Sequence, residues 1–146
     1  MFNLHAPDGK FAVSGNFGNM SGSVLNEITL PMAMMRIDSG YVDDAEFNFT
    51  GNDFGTSGDF VMKYHDLRVS LLKKIKGSGE IKKKHIMSLI ANSILKDANP
   101  LNGNLRTIKL EHSRDPLKSF INLVWKTIFT GAKKTVMGKT SQDDIK

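Results

Sequence analysis

The stretch YVDDAEFNFT (residues 41–50) decides how this chain folds. Its odd positions Tyr41, Ala45, Phe47 and Phe49 are mostly apolar, whereas Asp44, Glu46 and Asn48 are polar. A strand sends successive side chains to opposite faces, so the segment reads as a half-buried β-strand with one greasy and one wet side. The next segment outward, DFVMKYHDLRVSLLK (59–73), carries Phe60, Met62 and Tyr64 on one face and then Leu67, Val69 and Leu71 on the other. The alternation slips by one at His65-Asp66, as it does when a β-bulge adds a residue to one strand of a pair. Upstream, Phe11, Val13, Gly15 and Phe17 alternate in the same way, and a second extended run is expected from about Val24 to Ile37.

Turn residues separate these runs at Pro7-Asp8-Gly9, Asn19 to Gly22, Asp38-Ser39-Gly40, Gly51-Asn52-Asp53 and Gly55 to Gly58. Connections this short favour an antiparallel meander over parallel units joined by crossover helices. Glycines within the strands, such as Gly15 and Gly58, predict strong curvature and leave room for an open groove.

Beyond Leu72 the period changes. Lysines crowd around Gly77-Ser78-Gly79, and Ile86, Leu89, Ile90 and Ile94 follow at helical spacing until Asn99-Pro100 stops the pattern. Leu105 to Glu111 alternates as a short edge strand. Asp115-Pro116 then reads as a helix start, followed by Leu117, Phe120, Ile121, Val124 and Ile128 at helical intervals. Gly131 marks a kink or an end. The expected architecture is α+β: a curved antiparallel β-sheet over about 10–73, then amphipathic helices over about 82–97 and 116–136 with a short strand between them. Residues 1–138 are expected to form one domain and 139–146 a disordered tail.

The 146 residues suit one such domain, and 40% hydrophobic residues suffice for a core. The lack of cysteine removes disulfide scaffolds, thiolate zinc sites and thiol nucleophiles. No apolar run is long enough to span a bilayer, and the N-terminus lacks the pattern of a signal peptide. The polar opening at Met1, leading straight into a strand, is read as the sign of a piece of a longer protein. Charge is divided: Met1 to Asp66 holds 3 Lys+Arg against 9 Asp+Glu, and the remainder 17 against 6, giving nets of −6 and +11. A basic second half points to an anionic partner, with Lys73, Lys74, Lys76, Lys82, Lys83 and Lys84 as candidates for anionic head groups.

Catalytic chemistry finds little support. Gly138-Lys139-Thr140 lacks the earlier glycine of a phosphate-binding loop, since Lys133 stands there. Two Ser-x-x-Lys matches lack the partner motifs of penicillin-recognising enzymes. The four histidines are far apart, and Asp43, Asp44 and Glu46 lack calcium-loop spacing, so no metal, cofactor or catalytic residue is expected. Nucleic acid fits poorly, because no aromatic lies between Leu67 and Ile90 to stack on bases. Phospholipid fits better: Phe120, Val124, Trp125, Ile128 and Phe129 combine with flanking lysines as interfacial helices do, although packing on the sheet explains the same pattern.

Gly58, the run Tyr64-His65-Asp66-Leu67-Arg68-Val69 with Leu71-Leu72, Ala91-Asn92, Asn99-Pro100 and Phe120-Ile121-Asn122-Leu123-Val124-Trp125-Lys126 with Gly131 together resemble the C-terminal end of bacterial AsmA-like envelope proteins, most closely the Bacteroidetes type. The resemblance covers Gly40 to Gly138. It implies a long protein anchored in the inner membrane, whose periplasmic β-groove conducts phospholipid toward the outer membrane and serves outer-membrane biogenesis. This chain would then be the distal cap of that groove, with Phe47, Phe49, Phe60, Met62 and Tyr64 as the candidate lipid-facing set and an outer-membrane or envelope protein as a further partner. The competing expectation is a protein-interaction or assembly module that docks through its last helix.

Overall fold

A computed structural model describes residues 9–74, 80–83 and 95–138. Its elements are β1 (Phe11–Ser21), a 3-10 turn (Gly22–Leu25), α1 (Asn26–Ala33), β2 (Met35–Gly51), β3 (Gly55–Lys74), β4 (Ile81–Lys83), β5 (Thr107–Ser113) and α2 (Phe120–Val136). The sheet is antiparallel throughout and open. β1, β2 and β3 lie side by side, β5 pairs with the first part of β3, and β4 pairs with its last residues.

The expected alternation sets the register. Phe11, Val13, Gly15 and Phe17 stand opposite Gly51, Phe49, Phe47 and Ala45, and this row continues onto Thr56, Gly58, Phe60 and Met62 of β3. The slip at His65-Asp66 is a bulge: Ser39 and Tyr41 are two residues apart on β2, but their partners Arg68 and His65 are three apart, and Asp66 takes a positive φ of 57°. Further irregularities between Ile37 and Asp44 turn Val42 inward and leave Tyr41 on the surface.

Four expectations differ from the structure. Val24 to Ala33 is not extended but forms the 3-10 turn and α1. The Ser21 hydroxyl caps the turn at Ser23 N, and the Asn26 carboxamide binds both Ile37 N (2.7 Å) and Ile37 O (3.0 Å), which holds the helix against the start of β2. Pro31 has no N–H for a ladder, and Met34 in the left-handed region turns the chain into β2. The last helix begins at Phe120 rather than 116. Ser119 is its cap and accepts from Asn122 N at 3.2 Å, while Asp115 closes a separate turn by accepting from Leu117 N at 3.0 Å. Of the helix expected over 82–97, Lys82 and Lys83 lie in β4 and Leu95 to Asp97 are not helical; the residues between lie outside the described ones. The edge strand expected at Leu105 to Glu111 runs two residues later.

α2 packs across β3 and β5, burying Leu123, Thr127, Gly131 and Thr135, a line of mostly small side chains spaced by four. Gly131 does not end the helix. A β-carbon there would stand 2.5 Å from Phe60 Cγ and 2.9 Å from Leu110 Cδ2, so glycine lets helix and sheet approach closely. The core comprises Phe11, Val42, Ala45, Phe49, Phe60, Met62, Tyr64, Ile108, Leu110 and Leu123, with Phe120, Val124, Ile128, Ala132 and Val136 packed against it.

Candidate functional surface

Among the described residues, the turn before α2 and the first half of that helix form a surface open to an apolar partner. Its core face is set by Leu123, Thr127 and Thr135, which leaves the residues a half-turn away facing outward. Ile121 (64% exposed) and Trp125 (45%) lie one turn apart on the same side of the helix, and Leu117, 90% exposed, stands in the turn that precedes it. Lys118 is exposed beside them and Lys126 is half buried. At the same end of the sheet the β2–β3 turn presents Phe54, 85% exposed. The Asn52 side chain holds this turn by accepting from Phe54 N (2.8 Å) and Gly55 N (3.2 Å). Arg114 ties it to the chain entering α2, donating its N–H to Phe54 O and pairing with Asp53, both at 2.8 Å.

Of the residues expected to make a membrane or partner helix, Phe120, Val124 and Ile128 turn toward the core, Phe129 is half buried, and only Trp125 faces outward. Of the expected lipid-facing set, Phe49, Phe60, Met62 and Tyr64 are buried in the core, and Phe47 alone is half buried, lying over Gly15. Val13, Phe17 and Met20 of β1 share its half-buried state and its face.

Among the described residues, the lysines of the expected head-group set form no ring around Trp125. Lys73 and Lys82 stand opposite each other on β3 and β4, and Lys83 reaches Asp38 at 3.8 Å. Thr127 of α2 touches Thr56 near the start of β3, so Lys73 lies some 17 residues farther along the strand, on the order of 50 Å at ordinary strand rise. Lys74 belongs to the same strand pair, whereas Lys76 and Lys84 lie outside the described residues.

Behind the helix, polar groups lock the end of α2 to the sheet. The buried Asn99 side chain donates to Met62 O (2.6 Å) and Arg106 O (3.1 Å) and accepts from Arg106 N (2.8 Å). The Arg106 guanidinium donates to Thr135 O (3.2 Å), Ala98 O (2.5 Å) and the Tyr64 hydroxyl (3.3 Å). Burial pushes the Tyr64 hydroxyl above its ordinary pKa, although Arg106 pulls it the other way. Every partner here is already satisfied within the fold, so the cluster serves as a brace.

Other reactive groups among the described residues are scattered. His65 Nδ1 lies 3.0 Å from Asp43 on the exposed outer face, with its ring tilted against Tyr41 at 5.7 Å. No group of three or more His, Asp and Glu is placed to hold a metal ion among the described residues. A shallow, open depression of about 780 Å³ at the turn end has Phe11, Thr50 and Phe54 in its lining, together with Lys10, Glu111 and His112, a mixed set in which the one lysine stands against one glutamate. No described helix is long and apolar enough to cross a membrane.

Sequence reading missed Leu117, Ile121 and Phe54 as surface groups. Helical spacing placed Leu117 and Ile121 on the same broad apolar sector as the core residues, and spacing alone does not say which part of a wide sector is covered. Phe54 did carry a signal: an aromatic inside a Gly-Asn-Asp-Phe-Gly turn has no strand face to occupy.

Proposed function

We infer a function from the surface itself, since no protein-family model, curated protein or solved structure matches this chain. We propose that it is a non-enzymatic, lipid-contacting domain, in keeping with the C-terminal region of an AsmA-like envelope protein active in phospholipid transport at the periplasmic side of the cell envelope. The observation that carries this reading is the exposure of Ile121 and Trp125 on one side of α2 and of Leu117 and Lys118 in the turn before it, with Phe54 projecting from the adjoining turn. Apolar side chains of this size gain by entering the acyl boundary of a bilayer, and neighbouring lysines gain from anionic head groups. Acyl-chain contact on the sheet itself falls to the half-buried lip of Val13, Phe17, Met20 and Phe47, because the rest of that face is core.

Trp125 is the only tryptophan, so its emission reports contact directly. Titration with phosphatidylglycerol-containing vesicles should shift that emission to the blue, and added salt should weaken the response. Ile121→Asp should abolish the shift while leaving the circular dichroism spectrum intact. No response from wild-type protein at any lipid concentration would refute the lipid reading and favour a protein partner seated on the same three side chains.

A further inference from the structure

We propose that the free edge of β1 is a self-association site, at which two copies of this chain pair antiparallel about a two-fold axis at Ser14. Among the described residues β1 pairs with β2 alone, and no described strand lies along the other side of its 11-residue backbone. Exposed strand edges ordinarily carry charge, proline or covering loops that discourage pairing. The edge strand β5 follows that rule: Lys109 and Glu111 stand on it, and Lys109 pairs with Asp59 at 2.6 Å. The β1 sequence FAVSGNFGNMS has neither a charged residue nor a proline.

The occupant follows from the order of residues. Regular pairing runs from Phe11 to Gly18, after which Asn19, at φ 56°, interrupts it. Residues facing each other across an antiparallel pair must point to the same face, so a two-fold axis passes through a residue rather than between two. With the axis at Ser14, Phe11 of each copy meets Phe17 of the other, Val13 meets Gly15, and Ala12 meets Asn16. Phe with Phe and Val with Gly lie on the apolar face, beside the half-buried Phe47; Ala, Asn and Ser lie on the outer face. The edge is thus complementary to itself in hydrogen bonding and in its lack of charge, whereas a charged partner strand would find no counter-charge on it. The result would be one continuous sheet running through both copies.

The absence of cysteine makes the register testable. Directly opposed residues hold their β-carbons about 4.5–5.5 Å apart, close to what a disulfide spans. Under mild oxidation, Ser14→Cys should therefore cross-link at least about 10-fold faster than Ser57→Cys, an exposed site in the middle of the sheet. Sedimentation should show a dimer for wild type, and Ser14→Lys, which sets two like charges face to face, should be monomeric with an unchanged circular dichroism spectrum. Wild type that stays monomeric up to about 1 mM, equal cross-linking rates at the two cysteines, or a folded Ser14→Lys protein that still dimerises would each overturn the proposal.

Discussion

Gly131→Ala sets two well-measured effects against each other. Alanine is the better helix former by about 1 kcal/mol, so on an exposed helix the change would stabilise the protein. Here the added methyl would lie 2.5 Å from Phe60 Cγ and 2.9 Å from both Phe60 Cβ and Leu110 Cδ2. Phe60 is fully buried and its inner carbons are fixed by the β3 backbone, so it cannot swing aside as a flexible chain end would. Helix and sheet must separate by several tenths of an ångström along the whole contact, and overpacking of this kind costs about 2–3 kcal/mol. The packing loss outweighs the propensity gain, for a net destabilisation of about 1–2 kcal/mol. Urea unfolding followed by Trp125 emission should show the midpoint falling by about 0.5–1 M at unchanged slope, for an m-value near 2 kcal/mol/M. Gly131→Val should lower it further. A Gly131→Ala midpoint equal to or above wild type would refute the close approach of α2 to β3 on which the whole core assignment depends.

Three further outcomes follow from the same packing. The Thr56 and Thr127 hydroxyls lie 2.7 Å apart in the core, so Thr127→Val should cost about 1–2 kcal/mol, and adding Thr56→Val should recover part of that, as a double-mutant cycle in urea would show. Arg106→Met removes the guanidinium that ties Tyr64, Ala98 and Thr135 together and should destabilise by about 2–4 kcal/mol, read as a fall in thermal midpoint. Burial, and then the nearby Lys126 charge, hold the His112 pKa below its ordinary value. The unfolded chain therefore binds the proton more readily, and stability contributed by His112 is present above the usual histidine pKa of about 6.5 and lost as pH falls from there toward the folded value. His112→Asn should flatten the pH dependence of the unfolding midpoint in that window.

Asp38 illustrates how local chemistry and topology combine. Burial alone would raise its pKa, but the Ser70 and Arg36 hydrogen bonds, with the Arg36 and Lys83 charges, outweigh burial and hold it below the usual carboxylate value. Ser70 and Lys83 are distant in sequence, and the pairing of β2 with β3 and β3 with β4 brings them to one carboxylate.

Period-two alternation at Phe11–Phe17, Ala45–Phe49 and Phe60–Tyr64 determined the strands, their antiparallel order and even the bulge at His65-Asp66. These are local properties, because a strand's two faces are defined by its own backbone. Alternation also grouped Phe47, Phe49, Phe60, Met62 and Tyr64 on one face, yet it did not say what lies over them. Only the packing of α2 decides that Phe49, Phe60, Met62 and Tyr64 are core and that Phe47 lies near the rim. Helical spacing likewise placed an apolar helix at the end of the chain but left its orientation open. The small residues Thr127, Gly131 and Thr135 settle it, since they permit the closest approach to the sheet and so turn Ile121 and Trp125 outward. Val24 to Ala33 shows the same limit from the other side. Its apolar content suits a strand, and the helix there is held by Asn26 bonding to Ile37, a contact eleven residues away that no local pattern displays. A sequence writes its periodicities in each segment separately; which face meets which is a property of the assembled layers, where burial of the whole apolar surface is decided at once.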